Sequence, residues 1–325
     1  MADLYGLRRK QLMRHLLRHK RGASIDELAR ALGVTRTAVR QHLAALARDS
    51  LVAPAAPSHT RGPSALGGDL RRALSLTWIL AVTDFKLRYF GSVLGYLWTL
   101  MRPLMLFAVL YFVFTQVFAL GEDVRFYAVY LLTSIVLYGY FQETTGGGVQ
   151  CLMARENLLR KMHFPRIAIP VSVSLSALFN LGLNLIAVAV FAVAAGVTPH
   201  WSWLEFPLLV LALAILSIGF AMLLSVLYVR FRDIEPIWDV VLRIAFYASP
   251  VLYVIGMLPQ TIQREMLAIN PLATILTQMR HAVLDPSAPS AATAIGGTWR
   301  LLIPATLTVG VFVLGLWLFK REAPR

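Results

Sequence analysis

The sequence predicts an all-α, polytopic membrane protein with six transmembrane helices, preceded by a small cytoplasmic helix-turn-helix domain. Three observations carry this. Apolar residues make up 58% of the chain and charged ones only 15%, against about 25% charged in ordinary soluble domains; that is too little charge to cover a water-facing surface. The charges are also unevenly spread: residues 1–72 hold 14 Lys/Arg against 5 Asp/Glu, whereas uncharged apolar stretches dominate from Trp78 onward. Finally, SIDELARALGVTRTAVRQHLAAL, residues 24–46, reads as two short helices about a Gly33-Val34 turn.

The first domain spans residues 1–52. Helices are expected over 7–20, 24–32 and 35–47. Ser24 and Glu27 have capping-box spacing, and Thr35 is placed to cap the last helix. Ile25, Leu28, Leu32, Val34, Val39, Leu43 and Leu46 supply a small core. Arg36, Thr37, Arg40 and Gln41 are left facing outward, where a recognition helix presents side chains to the major groove. Basic exposed helices also bind anionic lipid, so membrane lipid and DNA both stand as partners. No removable signal peptide is expected, because MADLYGLRRKQLMRHLL lacks an apolar core followed by a small-residue site.

Residues 53–70 follow as a linker rich in Pro, Ala, Ser and Gly. Residues 71–103 then mix Asp84, Lys86 and Arg88 with Trp, Phe, Tyr and Leu, a composition suited to an amphipathic helix in the headgroup region. Residues 104–325 form the membrane domain. A crossing takes about 20 apolar residues. Spans are expected at 104–120, opened by Pro103, and at 126–142, 167–195, 206–229 and 301–319. A further one at 237–258 carries Asp239, Arg243 and Pro250. Asp239 and Arg243, four apart, have the spacing of a helical ion pair. Gly146-Gly147-Gly148 and Ser249-Pro250 are candidate bends, the glycines alternatively a helix end. Placing both termini in the cytoplasm puts 26 Lys/Arg on the inner side and four on the outer, a strong positive-inside bias.

Between the second and third spans, ARENLLRKMHFPRIAIP sets Leu158, Leu159, Met162 and Phe164 against Arg155, Arg160 and Lys161. This suits either an amphipathic helix that docks into a partner's groove or a basic stop-transfer loop. The single cysteine, Cys151, excludes an internal disulfide or a Cys-rich zinc site. His163, His200 and His281 fall in different loops, and His15 and His19, four apart, lie on a basic helix without a carboxylate partner, so no chemistry and no metal are expected on this chain. None of the five lysines follows a glycine, so no P-loop of the usual kind exists here.

LRYFGSVLGYLWTLMRPL, NLLRKMHFPRIAIP, VRFRDIEPIWDVVLRIAFYASPVLY and INPLATILTQMRHAVL, in that order, resemble the landmarks of the membrane subunits of bacterial ATP-driven exporters. These are the ABC-2 type permeases for O-antigen, capsular polysaccharide and teichoic acid. The resemblance implies a homodimer enclosing a conduit in the inner membrane. It implies a separate ABC ATPase subunit, which uses ATP and magnesium while this chain binds no cofactor. It also implies a lipid-linked glycan as cargo, and short helices over 259–285 that dip into the outer leaflet. It assigns ATPase coupling to Arg155, Asn157, Leu158, Leu159, Arg160 and Lys161. The opening domain, in turn, resembles the winged helix-turn-helix of bacterial transcription regulators.

Aromatic rings can stack on the C–H faces of a sliding sugar polymer, which makes Tyr111, Phe114, Tyr138, Tyr140, Tyr247 and Tyr253 candidate conduit residues. Aromatics near span ends also serve as interface anchors. Two other functions compete with glycan export: an ABC-2 exporter of drugs or small lipids, and a membrane-tethered transcription regulator. For the opening domain, a protein-docking module and an unrelated segment joined at the start remain alternatives to a tethered regulator.

Overall fold

The computed structural model describes residues 66–89, 95–118, 124–156 and 166–322, and, before them, Leu28, Arg30, Thr35, residues 37–39 and Leu43. The chain divides into two compact units, Met1–Ala65 and Leu66–Arg325. In the first, Leu28 and Val39 are almost wholly buried, as expected of a small helical core. Thr35 precedes the helical residues 37–39, and its Oγ1 accepts from the Ala38 amide at 3.4 Å.

The second unit is helical, with no strand among its described residues. Its elements are α1 (Leu66–Tyr89), α2 (Gly95–Phe112, continued by a π turn Val113–Val117), α3 (Tyr127–Ala154), α4 (Ala168–Ala194), α5 (Glu205–Arg230), α6 (Ile234–Ala248), α7 (Gln260–Ile269), α8 (Pro271–Met279), α9 (Ala291–Ile295) and α10 (Leu302–Glu322). α3 and α5 form the centre. α3 packs on α2, α4, α5 and α6, while α5 also carries α10, and α1 lies on α4.

Six crossings are expected, and among the described residues four helices combine the length and apolarity to cross: Leu97–Val117, Ala168–Ala194, Trp201–Arg230 and Thr298–Glu322. The other two differ for physical reasons. α3 is 28 residues long, but most of its side chains are buried against neighbouring helices. A helix so enclosed has no need of a lipid-compatible surface, and it carries Gln142, Glu143, Thr144 and Thr145. α6 stops at Ala248 after 15 residues, about 22 Å of helix, short of a roughly 30 Å hydrocarbon core.

Two local expectations are overturned. Pro103 lies inside α2 and does not open it. The glycine triplet does not end α3, which runs on as helix to Ala154. Gly148 instead permits contact with α5: a Cβ there would lie 2.5 Å from that of Ala221. On the other side of the same turn, a Cβ on Gly219 would lie 2.8 Å from the Phe312 backbone, and one on Gly315 2.4 Å from the Gly219 carbonyl. Small residues thus let α3, α5 and α10 meet almost backbone to backbone, the usual way helices associate in lipid. Ser249-Pro250, by contrast, does break a helix.

A cluster of Cys151, Leu152, Ile169, Met222 and Phe319 gathers the end of α3, the start of α4 and the ends of α5 and α10. The basic residues Arg155, Arg166, Arg230, Lys320 and Arg321 stand at these same helix ends. At the opposite end, α7–α9 pack around Ile255, Leu267, Ala273 and Ile295.

Candidate functional site

Three features of the second unit carry function-like geometry. The first is a polar seam between α1, α3 and α4. Ser172, Ser176 and Asn180 recur every four residues on α4, and all are buried. Ser172 accepts from Arg155 Nη1 at 2.8 Å. Ser176 donates to the Ala81 carbonyl of α1 at 3.0 Å. Asn180 donates to Glu143 of α3 at 2.6 Å. Two ion pairs complete the seam, Asp84–Arg155 and Arg88–Glu143, each joining α1 to α3 or to its last residue. Phe179 of α4 adds edge contacts to Trp78 and Phe85, each at 5.5 Å. Buried polar groups in a lipid-embedded body must be paired in this way.

The second feature is the open side of α6. Asp239, Arg243 and Tyr247 follow at four-residue intervals, and all three are exposed. The expected Asp239–Arg243 ion pair does not form. Both side chains stand free among exposed Ile237, Val240 and Ile244. At the basic end Gln150 of α3 donates to Glu235 at the start of α6.

The third feature closes the gap where α6 stops. The Tyr127 hydroxyl donates to the Leu252 carbonyl at 2.6 Å. That of Tyr130 donates to the Pro250 and Tyr253 carbonyls. Side chains on α3 thereby satisfy carbonyls left without helical partners. Asn270 explains the INPL landmark: its side chain accepts from the Leu272 and Ala273 amides, and Pro271 sits at the first helical position. Asn270 also donates to Ser249 Oγ at 2.9 Å, tying α8 to the end of α6. Arg280 lies 5.9 Å from the Tyr130 ring and 3.9 Å from Asp285. Burial lowers its pKa, opposed by Tyr130 and Asp285.

The candidate residues from sequence fall into several settings. Tyr138 and Tyr140 are buried, their hydroxyls held by the Leu242 carbonyl and Ser174 Oγ. Tyr111 and Tyr247 are exposed, and Phe114 and Tyr253 half-buried. Of the six coupling residues only Arg155 is described. Asn157, Leu158, Leu159, Arg160 and Lys161 lie outside the described residues, as do Arg36, Arg40 and Gln41; Thr37 is exposed. Tyr127 at the end of α6 and Ser172, Ser176 and Asn180 of the seam on α4 are not among the residues singled out from sequence. The seam had a readable signal in the four-residue polar repeat of an otherwise apolar helix. Among the described residues no cluster of three or more His, Cys, Asp or Glu is arranged to hold a metal.

Among the described residues, four helices long and apolar enough to cross, basic residues gathered at one set of helix ends and an open polar stripe on α6 fit a multi-pass membrane protein. Comparison with known sequences specifies the class: residues 75–284 match the ABC-2 type transporter family. The chain belongs to that family and is a transmembrane exporter subunit. Residues 8–53 match an HTH domain. The chain is similar to the O-antigen export system permease protein RfbA of Myxococcus xanthus, 30% identical over 213 residues, 65% of this chain and 81% of the relative. It is also similar to the protein of the same name from Klebsiella pneumoniae, 29% identical over 208 residues, 64% of this chain and 79% of the relative.

Proposed function

We propose that this chain is the membrane subunit of an exporter that moves a lipid-linked polysaccharide of the O-antigen, capsule or teichoic acid kind. The bilayer is the bacterial inner membrane, both termini are cytoplasmic, and α3, and α6 together with residues 249–258, complete six crossings. Two copies enclose the conduit. A separate ABC ATPase subunit, using ATP and magnesium, docks on the 157–165 segment and supplies the work. The 30% identity to an O-antigen export permease supports the cargo class, and the basic end of the bundle supports the orientation.

One structural observation carries the reading, the exposed Asp239–Arg243–Tyr247 stripe on α6. Ionisable side chains in a membrane helix face protein or water, and an aromatic ring one turn beyond them offers a stacking surface. A hydrated glycan suits that combination better than an apolar drug or small lipid. With Tyr111 on α2, Tyr247 is therefore assigned to the conduit wall.

Export of surface glycan by cells relying on this chain tests the proposal. Leu159→Asp or Arg160→Glu is expected to release the ATPase subunit and to lower export by at least about tenfold, as loss of a central interface contact does. Deleting residues 1–70 is expected to leave export intact. Normal export from Leu159→Asp, or loss of export on the deletion with the ATPase still bound, overturns this division of labour.

A second reading concerns the first unit alone, and the HTH match and the exposed Thr37 favour it. We propose that residues 1–52 bind duplex DNA, making the exporter subunit a tethered regulator as well. Arg36→Ala with Arg40→Ala is expected to weaken DNA binding by roughly tenfold or more and to flatten its salt dependence by up to about two phosphate contacts. Unchanged DNA affinity in a mobility-shift titration rejects it, and binding to anionic vesicles instead assigns the unit to lipid.

A further inference from the structure

We propose that Asp84, Arg155 and Ser172 form a clasp that transmits displacement of the 157–165 segment to α1, with Arg155 as the positioning residue. The proposal rests on the reading that an ATPase subunit docks on that segment. Arg155 is the residue at which α3 ends, directly before the segment, and Ser172 lies near the start of α4, directly after it. One guanidinium, only 17% exposed, binds both Ser172 and Asp84 of α1. The two roots of the segment are therefore fastened to each other and to a third helix. A load on the segment either drags α1 or separates a largely buried ion pair, and leaving such a charge unpartnered is strongly unfavourable.

The rest of the seam makes α1 move as one piece. Deeper in the bundle, Glu143 binds Arg88 of α1 and Asn180 of α4. The same three helices meet there with the charges reversed: α1 contributes the acid at Asp84 and the base at Arg88. Sliding α1 by one turn in either direction sets a like charge opposite Arg155 or Glu143, so the sign reversal fixes the register. Between the two pairs, Ser176 holds the Ala81 carbonyl. Held at three points, α1 acts as a lever and not as a float on the membrane surface.

The test uses the complex of this chain with the ATPase subunit that co-purifies, in lipid nanodiscs, and export in cells. A spin label at Leu87→Cys reports on α1: this position is exposed and outside the clasp, and Cys151→Ala removes the native thiol. In the otherwise unaltered complex, ATP is expected to change the label's spectrum. Asp84→Asn and Arg155→Gln are each expected to abolish the label's response and to lower glycan exported per ATP by about threefold to tenfold, with assembly and ATP turnover kept in Asp84→Asn. The double variant is expected to be no worse than either single, because both remove one interaction. The exchanged pair, Asp84→Arg with Arg155→Asp, is expected to restore response and export.

An unchanged export-to-ATP ratio and label response in the single variants overturns the clasp, as do additive losses in the neutral double. Should the exchanged pair fail to accumulate, the neutral cycle decides alone. A merely structural role lowers the thermal midpoint without changing the export-to-ATP ratio, and that result also overturns it. Absence of any ATPase subunit on the unaltered chain is a different failure, that of the docking reading itself.

Discussion

Gly315→Ala is expected to destabilise the membrane unit by about 2 kcal/mol, and Gly315→Leu by about 3 kcal/mol or more. The new Cβ would lie 2.4 Å from the Gly219 carbonyl oxygen. That obstacle is backbone and has no rotamer to relax into, so α10 must retreat from α5 along its length. Gly219→Ala is expected to behave alike, since its Cβ would meet the Phe312 backbone at 2.8 Å. Gly310, on the same helix, has nothing within 4 Å of its would-be Cβ, and Gly310→Ala is expected to be tolerated. Thermal unfolding of the purified protein, followed by fluorescence-detected size exclusion, distinguishes the two sites. Equal midpoints for Gly310→Ala and Gly315→Ala would show that α5 and α10 do not depend on this close crossing.

Tyr127→Phe combined with Tyr130→Phe is expected to cost about 3 kcal/mol. The pair removes two hydroxyls that serve the carbonyls of Pro250, Leu252 and Tyr253. A buried polar group left unpaired costs about 1–3 kcal/mol, and here the loss falls where α6 has already ended. Shape is conserved, because phenylalanine fills the same space. Protease accessibility at 249–258 is expected to rise along with the drop in thermal midpoint. If the midpoint is unchanged, water or a relaxed backbone satisfies these carbonyls, and the tyrosines are packing residues only.

What the sequence revealed divides along contact distance. Apolar runs in α4, α5 and α10 were legible because each signal is local and continuous. Ser249-Pro250 is legible as a helix-breaking element for the same reason, although the expected span runs on to 258 and α6 stops at Ala248. The second span is expected over 126–142, where the uncharged run stops at Glu143, whereas α3 continues through Glu143 and the glycines to Ala154. In the structure those residues make close contacts with α4 and α5, which no single-helix pattern encodes. Pro103 is misplaced from sequence because a proline in the first turn and one deeper inside a helix look alike in an apolar run.

The candidate site was less legible. Asp84 and Arg155 are 71 residues apart, and Tyr130 is 120 residues from the carbonyl of Pro250. Only the fold joins them. Nothing in sequence distinguishes an exposed ring such as Tyr247 from one such as Tyr138 or Tyr140, whose hydroxyl meets a neighbouring helix.

The near-contact of three helix backbones around Gly148, Gly219 and Gly315 has a mechanical implication. Elements joined with no side-chain cushion between them make a stiff keel that cannot spread sideways. On the proposed function, any dilation wide enough for a glycan must then occur at the flanks, where α2 and α6 carry their large exposed faces. The passage is predicted to open like a hull parting at its planks while the centreline stays closed.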